Sequence, residues 1–202
     1  MMKLPKGWQI KKLEEVCEIK SGKNQKKVIN PNGKYPIYGS SGIFGYADEY
    51  ICDENTTIIG RKGTINSPIY VTTKFWNVDT AFGLSVKEEL NSKFLYYFCL
   101  SFNFHKLDKS TTIPSLAKRD LLAIQLPIPP LETQQAIVSK IEELFSELDQ
   151  GIEDLKQLFR SLGFTEVAKH RSKEAWLYKQ GDVNFIVNGQ PNSQAEQFAA
   201  EH

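Results

Sequence analysis

Three kinds of apolar spacing follow one another along the chain. From Ile10 to Cys17, apolar residues return at helical spacing (Ile10, Leu13, Val16, Cys17), which predicts a short amphipathic helix over about 11–17. The polar, basic stretch SGKNQKKVINPNGKYP then reads as a loop, with Asn-Pro and Asn-Gly pairs marking turns. Between 35 and 86 the period shortens. YPIYGSSGIFGYADEY gives strand fragments broken by Gly39, Gly42 and Gly45, and the runs 56–60, 67–72, 75–79 and 81–86 are rich in β-branched and aromatic residues. NSKFLYYFCLSFNFHKL returns to the helical period, with Asn91 or Ser92 as cap and Phe94, Leu95, Phe98 and Phe102 on one face. STTIPSLAKRDL reads as a loop entering a helical turn capped by Ser115, and LLAIQLPIPP as a strand stopped by its prolines.

From 131 the spacing becomes sevenfold. Ile141, Leu148 and Leu155 are seven apart, as are Leu144, Gly151 and Leu158, and Ile137 and Leu162 prolong the stripe. A helix packed on its own domain needs only one apolar face. A heptad stripe with acidic residues outside it favours a coiled-coil seam, because a helix of about thirty residues runs about 45 Å and outreaches a domain of this size. Beyond 161, β-type runs cover about 164–170, 175–179 and 183–188, with a helix expected after Pro191. In that tail Phe164, Val167, Trp176, Leu177, Phe185, Ile186 and Val187 need cover. It is expected either from the first domain or from a neighbouring chain, failing which the segment is loosely held.

The expected class is therefore α+β: a β-rich domain with short helices over 1–130, a long coiled-coil-type helix over 131–160 and a small β-rich tail over 161–202. At 202 residues the chain is long enough for a sizeable core. Cys17, Cys52 and Cys99 stand far apart, in no metal-ligand or paired spacing, which argues for a reducing compartment, the cytoplasm, and against a disulfide framework or a zinc site. No apolar run reaches the length of a membrane span, and MMKLPKGW lacks the apolar core of a signal peptide. The net charge of +1 conceals an asymmetry: residues 1–131 carry 18 Lys and Arg against 12 Asp and Glu, whereas 132–160 carry 3 against 7. A basic first part and an acidic helix point to different partners.

The local chemistry with the most to say is IIGRKGTINSPIYV, where Arg61 and Lys62 stand between Gly60 and Gly63 inside a β-type run. A solvated turn is the plain explanation. The sharper one is that the glycines let the backbone approach a partner closely and aim two cations at something anionic. No catalytic constellation accompanies them. Glu18-Ile19-Lys20 has the second half of a nuclease metal motif without the preceding Pro-Asp, and reads as a strand edge. PIPPLE has the consecutive prolines, Pro129 and Pro130, without the Asn or the aromatic residue of an adenine methyltransferase motif. His105, His170 and His202 have no ligand-like spacing. No metal and no cofactor are expected.

LPKGWQIKKLEEVCEIKSGK, YPIYGSSGIFGYADEY, IIGRKGTI, FWNVDTAFGL, KFLYYFCL and STTIPSLAKRDLLAIQLPIPPLETQQAIVSKIEELFSELDQGIEDLK, spread over 3–156 in order, together resemble the target-recognition domain and spacer helix of Type I restriction–modification DNA specificity subunits. The resemblance implies a non-catalytic module that reads one half of a bipartite site in double-stranded DNA. It implies a helix that docks methyltransferase subunits, and through them the restriction subunit, and that pairs with a second recognition half or a second copy in a homodimer. On that reading Arg61 can bond a guanine edge or a phosphate in bidentate fashion and Lys62 suits phosphate. The Ser40–Ser41 loop, the Lys23, Lys26 and Lys27 loop, and the Lys109, Ser110, Thr111 and Thr112 loop are further candidate DNA contacts.

From about 157 the pattern changes. LGFTEVAKHRSK, LYKQGDVNFIVN and PNSQAEQFAAEH resemble a fragment of the N-terminal module of 4-hydroxyphenylpyruvate dioxygenase, a family whose iron ligands lie in a later half that is absent here. The tail is expected to take no part in function. Two rival readings are an iron dioxygenase-like fragment, for which no His-His-carboxylate set is present, and an interaction protein that uses only the acidic helix.

Overall fold

The structure, a computed structural model, describes residues 4–189. In chain order the elements are β1 (Gln9–Lys12), α1 (Leu13–Val16), β2 (Cys17–Ser21), β3 (Tyr35–Gly39), β4 (Gly42–Ala47), β5 (Thr56–Gly60), β6 (Ile69–Val71), β7 (Trp76–Asn77) and β8 (Ala81–Val86). There follow α2 (Ser92–Ser101), a 3-10 turn (Phe104–Leu107), α3 (Lys118–Leu122), β9 (Gln125–Ile128), α4 (Leu131–Ser161), β10 (Thr165–Lys169), β11 (Ala175–Gln180) and β12 (Val183–Asn188). The chain divides into two compact units, 1–139 and 140–202, and the architecture is α+β.

The first unit is organised by β5. All five residues of its TTIIG are buried, because the strand is central in an antiparallel sheet of order β2-β8-β5-β6 and covered on both faces. Ile59 joins Leu13, Val16, Phe82, Leu84, Leu95 and Leu121 in the larger core, while Ile58 joins Cys52, Val71, Phe75 and Ala81 on the other side. A second sheet, β4-β3-β7, pairs β3 with β7 in parallel and builds a smaller core of Ile37, Ala47, Trp76 and Val78. Asn77 joins the two sheets. It is fully buried, its Nδ2 donates to the carbonyls of Lys20 and Ala81, and its Oδ1 accepts from the Cys52 thiol, so its polar atoms are satisfied inside the core. Burial pushes the Cys17 and Cys52 thiols up to about 12, and that of Cys99 higher still.

The helix expected over 11–17 shrinks to the single turn of α1, because β1 pairs with β9 and Cys17 already belongs to β2. The apolar spacing is met by that one turn, with Leu13 and Val16 buried. Asn91 does cap α2, accepting from the Lys93 and Phe94 amides. Ser115 does not cap α3. Its amide is committed to Asp108, the chain stays extended to Ala117, and Ala117 is the N-cap without a side-chain bond. Gln134, in the first turns of α4, is fully buried. Its Nε2 donates to the carbonyls of Glu89 and Pro129, and its Oε1 accepts from the Asn91 amide.

In the second unit, β10-β11-β12 form an antiparallel sheet, and some of its cover comes from a source that was not expected. The last turns of α4 supply it: Ile152 and Phe159 pack with Phe164 against Trp176, Tyr178 and Val187. Phe159 stacks on Tyr178 at 5.4 Å and on Phe185 at 5.1 Å. Lys156, almost wholly buried, holds its ammonium 3.4 Å from the Trp176 ring centre and 2.6 Å from Glu153. Ile186 stays exposed, and so do Leu144, Leu148, Leu155, Leu158 and Leu162 of the heptad stripe. The helix expected after Pro191 lies outside the described residues.

Candidate nucleic-acid interface

The Gly60–Gly63 segment is held at every step. The Arg61 amide donates to the Thr80 carbonyl at 2.7 Å, the Gly63 amide donates to Pro114, and the Leu116 amide donates to the Arg61 carbonyl. Lys62 and Ser115 form an antiparallel bridge. The dipeptide therefore lies in a short ribbon with 114–116, where a solvated turn was the plain expectation. Gly60 is required sterically, since a Cβ there would lie 1.9 Å from the Thr64 carbonyl oxygen, and Gly63 is required by its φ of +79°. This anchoring leaves the Lys62 side chain exposed. It lays the Arg61 guanidinium over the Phe82 ring at 5.8 Å, with Nη1 donating to the Asp79 carbonyl at 3.4 Å.

The opposing loop is shaped by one carboxylate. Asp108 accepts from the Ser110 amide (3.0 Å), the Ser110 hydroxyl (2.6 Å) and the Ser115 amide (3.1 Å). The Ser110 hydroxyl above all, with both amides, holds the Asp108 carboxyl below the usual carboxylate range. The loop so closed presents Ser110, Thr111, Thr112 and Ile113 to solvent. Lys109 is exposed but not solitary: it donates to Asp120 at 2.9 Å, and that bond holds the Asp120 carboxyl low in turn, with Arg119 3.5 Å away on the same group. Arg61, Lys109, Ser110, Arg119 and Asp120 line one open cleft of about 390 Å³.

The β3–β4 hairpin closes a third side. Its two-residue tip, Ser40–Ser41, abuts the basic ribbon: the Ser40 Cβ lies 3.1 Å from where Gly60 would carry one, and its Oγ 3.8 Å from the corresponding point at Gly63. Lys23 is tied to the neighbouring turn, its amide donating to the Asn77 carbonyl while its own carbonyl accepts from the Trp76 indole. Lys26 and Lys27 stand apart, because the loop leads on to Ile29, which bridges Ala47 at the base of the hairpin. Of the residues singled out in the sequence, Ser40, Arg61, Lys62, Lys109 and Ser110 gather at one edge of the first unit, with Lys23 at its margin. Asp108, Arg119 and Asp120 were missed. Only Asp108 left a trace, since Asp-x-Ser favours a side chain that bonds the backbone two residues on.

Among the described residues no group of three or more His, Cys, Asp or Glu is placed to hold a metal ion. No described helix is long and apolar enough to cross a membrane. Cations and small hydroxyls on loops from one scaffold have the chemistry to meet a polyanion.

Comparison with known proteins gives that chemistry its setting. The Type I restriction modification DNA specificity domain matches residues 5–157, and the chain belongs to that family. A protein of Haemophilus influenzae named as a type I restriction enzyme specificity subunit is 30% identical over 140 residues, which cover 66% of this chain and 36% of that one. The solved S subunit of a Type-I restriction-modification system from M. genitalium shares the fold, with a TM-score of 0.60 at 24% identity over 80% of this chain and 45% of that one. The N-terminal hydroxyphenylpyruvate dioxygenase family matches residues 142–202. There the hemolysin VllY of Vibrio vulnificus is 77% identical over 52 residues, 26% of this chain and 15% of that protein. The chain thus spans less than half of each of these relatives. The two family matches overlap over 142–157, inside α4.

Proposed function

We propose that this chain is a non-catalytic DNA-recognition module that reads one half of a bipartite duplex target. The observation that carries the reading is the convergence of three loops, distant in sequence, at one edge of the first unit, with Arg61 and Lys62 locked between glycines at its centre. Arg61 is the base or bidentate phosphate contact and Lys62 a phosphate contact. Ser40, Ser41, Lys23, Lys109, Ser110, Thr111 and Thr112 supply accessory contacts.

The work divides as 1–130 for recognition, 131–160 for spacing and assembly, and 161–202 without a part in DNA reading. Through the exposed heptad stripe of α4 the chain pairs with a second copy or a second recognition half. The helix docks the methyltransferase subunits and, through them, the restriction subunit; the cytoplasm is the matching compartment. The test is selection from random duplexes by the chain together with its methyltransferase subunit, at several salt concentrations. Enrichment of a split site, with affinity falling steeply as salt rises, is expected. Salt-independent or absent DNA binding leaves the interaction-protein reading in its place.

A further inference from the structure

Just past the Ser40–Ser41 tip of the β3–β4 hairpin, the start of β4 carries two large apolar residues that the recognition chemistry above does not use. Ile43 and Phe44 are consecutive, and each is 52% exposed. On a regular strand one of two neighbours faces the core. Here the pairing shifts register between Ile37 and Tyr38, and a shift of this kind re-aims side chains at the end of a hairpin. The ring of Phe44 is not splayed at random: it lies over Gly39, 3.5 Å from where a Cβ would stand, with Val78 on the same side. The Val78 amide is bonded to the Tyr38 carbonyl, and the next two residues hold Arg61 through the carbonyls of Asp79 and Thr80. The apolar tip is thus built onto the turn that positions the principal cation, and β4 is an edge strand.

An apolar pair built onto the turn that holds Arg61 fits duplex DNA better than a protein groove. Backbone phosphates meet the charges, while a base step accepts the wedge and is partly unstacked by it. We propose that Phe44, supported by Ile43, is a wedge that inserts at a base step of the bound duplex, so that specificity includes the ease with which that step opens. The proposal rests on the DNA-reading role given above.

A mismatch lowers the cost of unstacking, so a wedge binds a mismatched duplex more tightly than the same duplex fully paired. The experiment compares wild type, F44A and F44W, each full length with the methyltransferase subunit, on pooled random duplexes with and without a central mismatch. Wild type and F44W are expected to prefer the mismatched pool about fivefold, and F44A to bind both pools alike with its salt slope unchanged, since no charge is removed. Salt-dependent binding of wild type to both pools equally, or an F44A variant of unchanged melting behaviour that keeps the preference, overturns the wedge and leaves the DNA-reading role intact. Loss of the methyltransferase subunit from F44A with the mismatch preference retained overturns it too, and makes the tip a protein contact. Binding of wild type to neither pool removes the DNA-reading role, and the wedge with it.

Discussion

At the scale of single residues, Arg61 and Asp108 act at the same edge by different means. Arg61 offers a planar, permanent cation, and its replacement by alanine is expected to weaken DNA binding by about 1–3 kcal/mol if it reads a guanine, and by less, with a salt slope shallower by about one, if it contacts only phosphate. Titrations of the folded variant at two or more salt concentrations check this, and an unchanged affinity at low salt removes Arg61 from the interface. Asp108 works from behind, by holding the amides of Ser110 and Ser115. Its carboxyl is held low in the folded chain, so its contribution is complete above the ordinary aspartate range and is lost as pH falls below that range, through the depressed value of the folded chain. The protection of the 110 and 115 amides, taken relative to the intrinsic exchange rate at each pH, is therefore expected to fall on acidification, and to be already low at neutral pH in Asp108→Ala, which removes the accepting oxygen. Equal protection in the variant would make the loop self-supporting. Arg61 was legible because glycines bracket it. The grip of Asp108 on Ser115 was not, because the six residues between them form no repeating pattern.

Elements were legible where one rule governed them. β5 reads as a strand because Thr-Thr-Ile-Ile suits a sheet, and α2 because Asn91 is a capping residue followed by an apolar face. α1 was overestimated since helical spacing cannot see that β9 pairs with the residues before it. In α4 one row was seen and another missed. Beside the expected stripe, Val138, Phe145, Ile152 and Phe159 are also seven apart. Val138 is buried in the first unit, and Ile152 and Phe159 pack on the tail sheet. The start of the helix depends on Gln134, and Gln134→Leu would strand the Asn91 amide and two carbonyls at about 1–3 kcal/mol for a buried group left unpaired. A fall in the melting midpoint of the first unit is expected, and an unchanged midpoint would mean water replaces the amide. Further along, Leu148→Glu places charge in the exposed stripe and is expected to yield monomers by sedimentation with the melting of the first unit unaltered. A wild type that is already monomeric at high concentration would assign the stripe to a different subunit.

For the whole molecule, the join between two family patterns is the decisive feature. Residues 142–157 match both, and the helix they form turns one face to the β10–β12 sheet while its heptad stripe stays open. The tail was expected to draw its cover from the first domain or a neighbouring chain, or else to be loosely held, because its family resemblance named a missing module. The helix before it already held Ile152, Phe159 and Lys156 at the right spacing. Removing everything after Ser161 leaves α4 at its full length but strips Ile152 and Phe159 of the sheet. DNA binding and its salt slope are expected to persist, since the loops that gather Arg61, Lys62 and Ser40 lie wholly in the first unit. Self-association is expected to increase, because two newly bared apolar residues adjoin Leu148, Leu155 and Leu158 and broaden a strip that suits two helices into one that suits more. Sedimentation of the shortened chain beside the full one distinguishes the outcomes. Species larger than those of the full chain support the sheet as a cover that limits assembly. Identical sizes show that the stripe alone sets it. Loss of DNA binding, while the first unit still melts cooperatively, would give the tail a part in recognition and overturn the division of labour proposed for this chain.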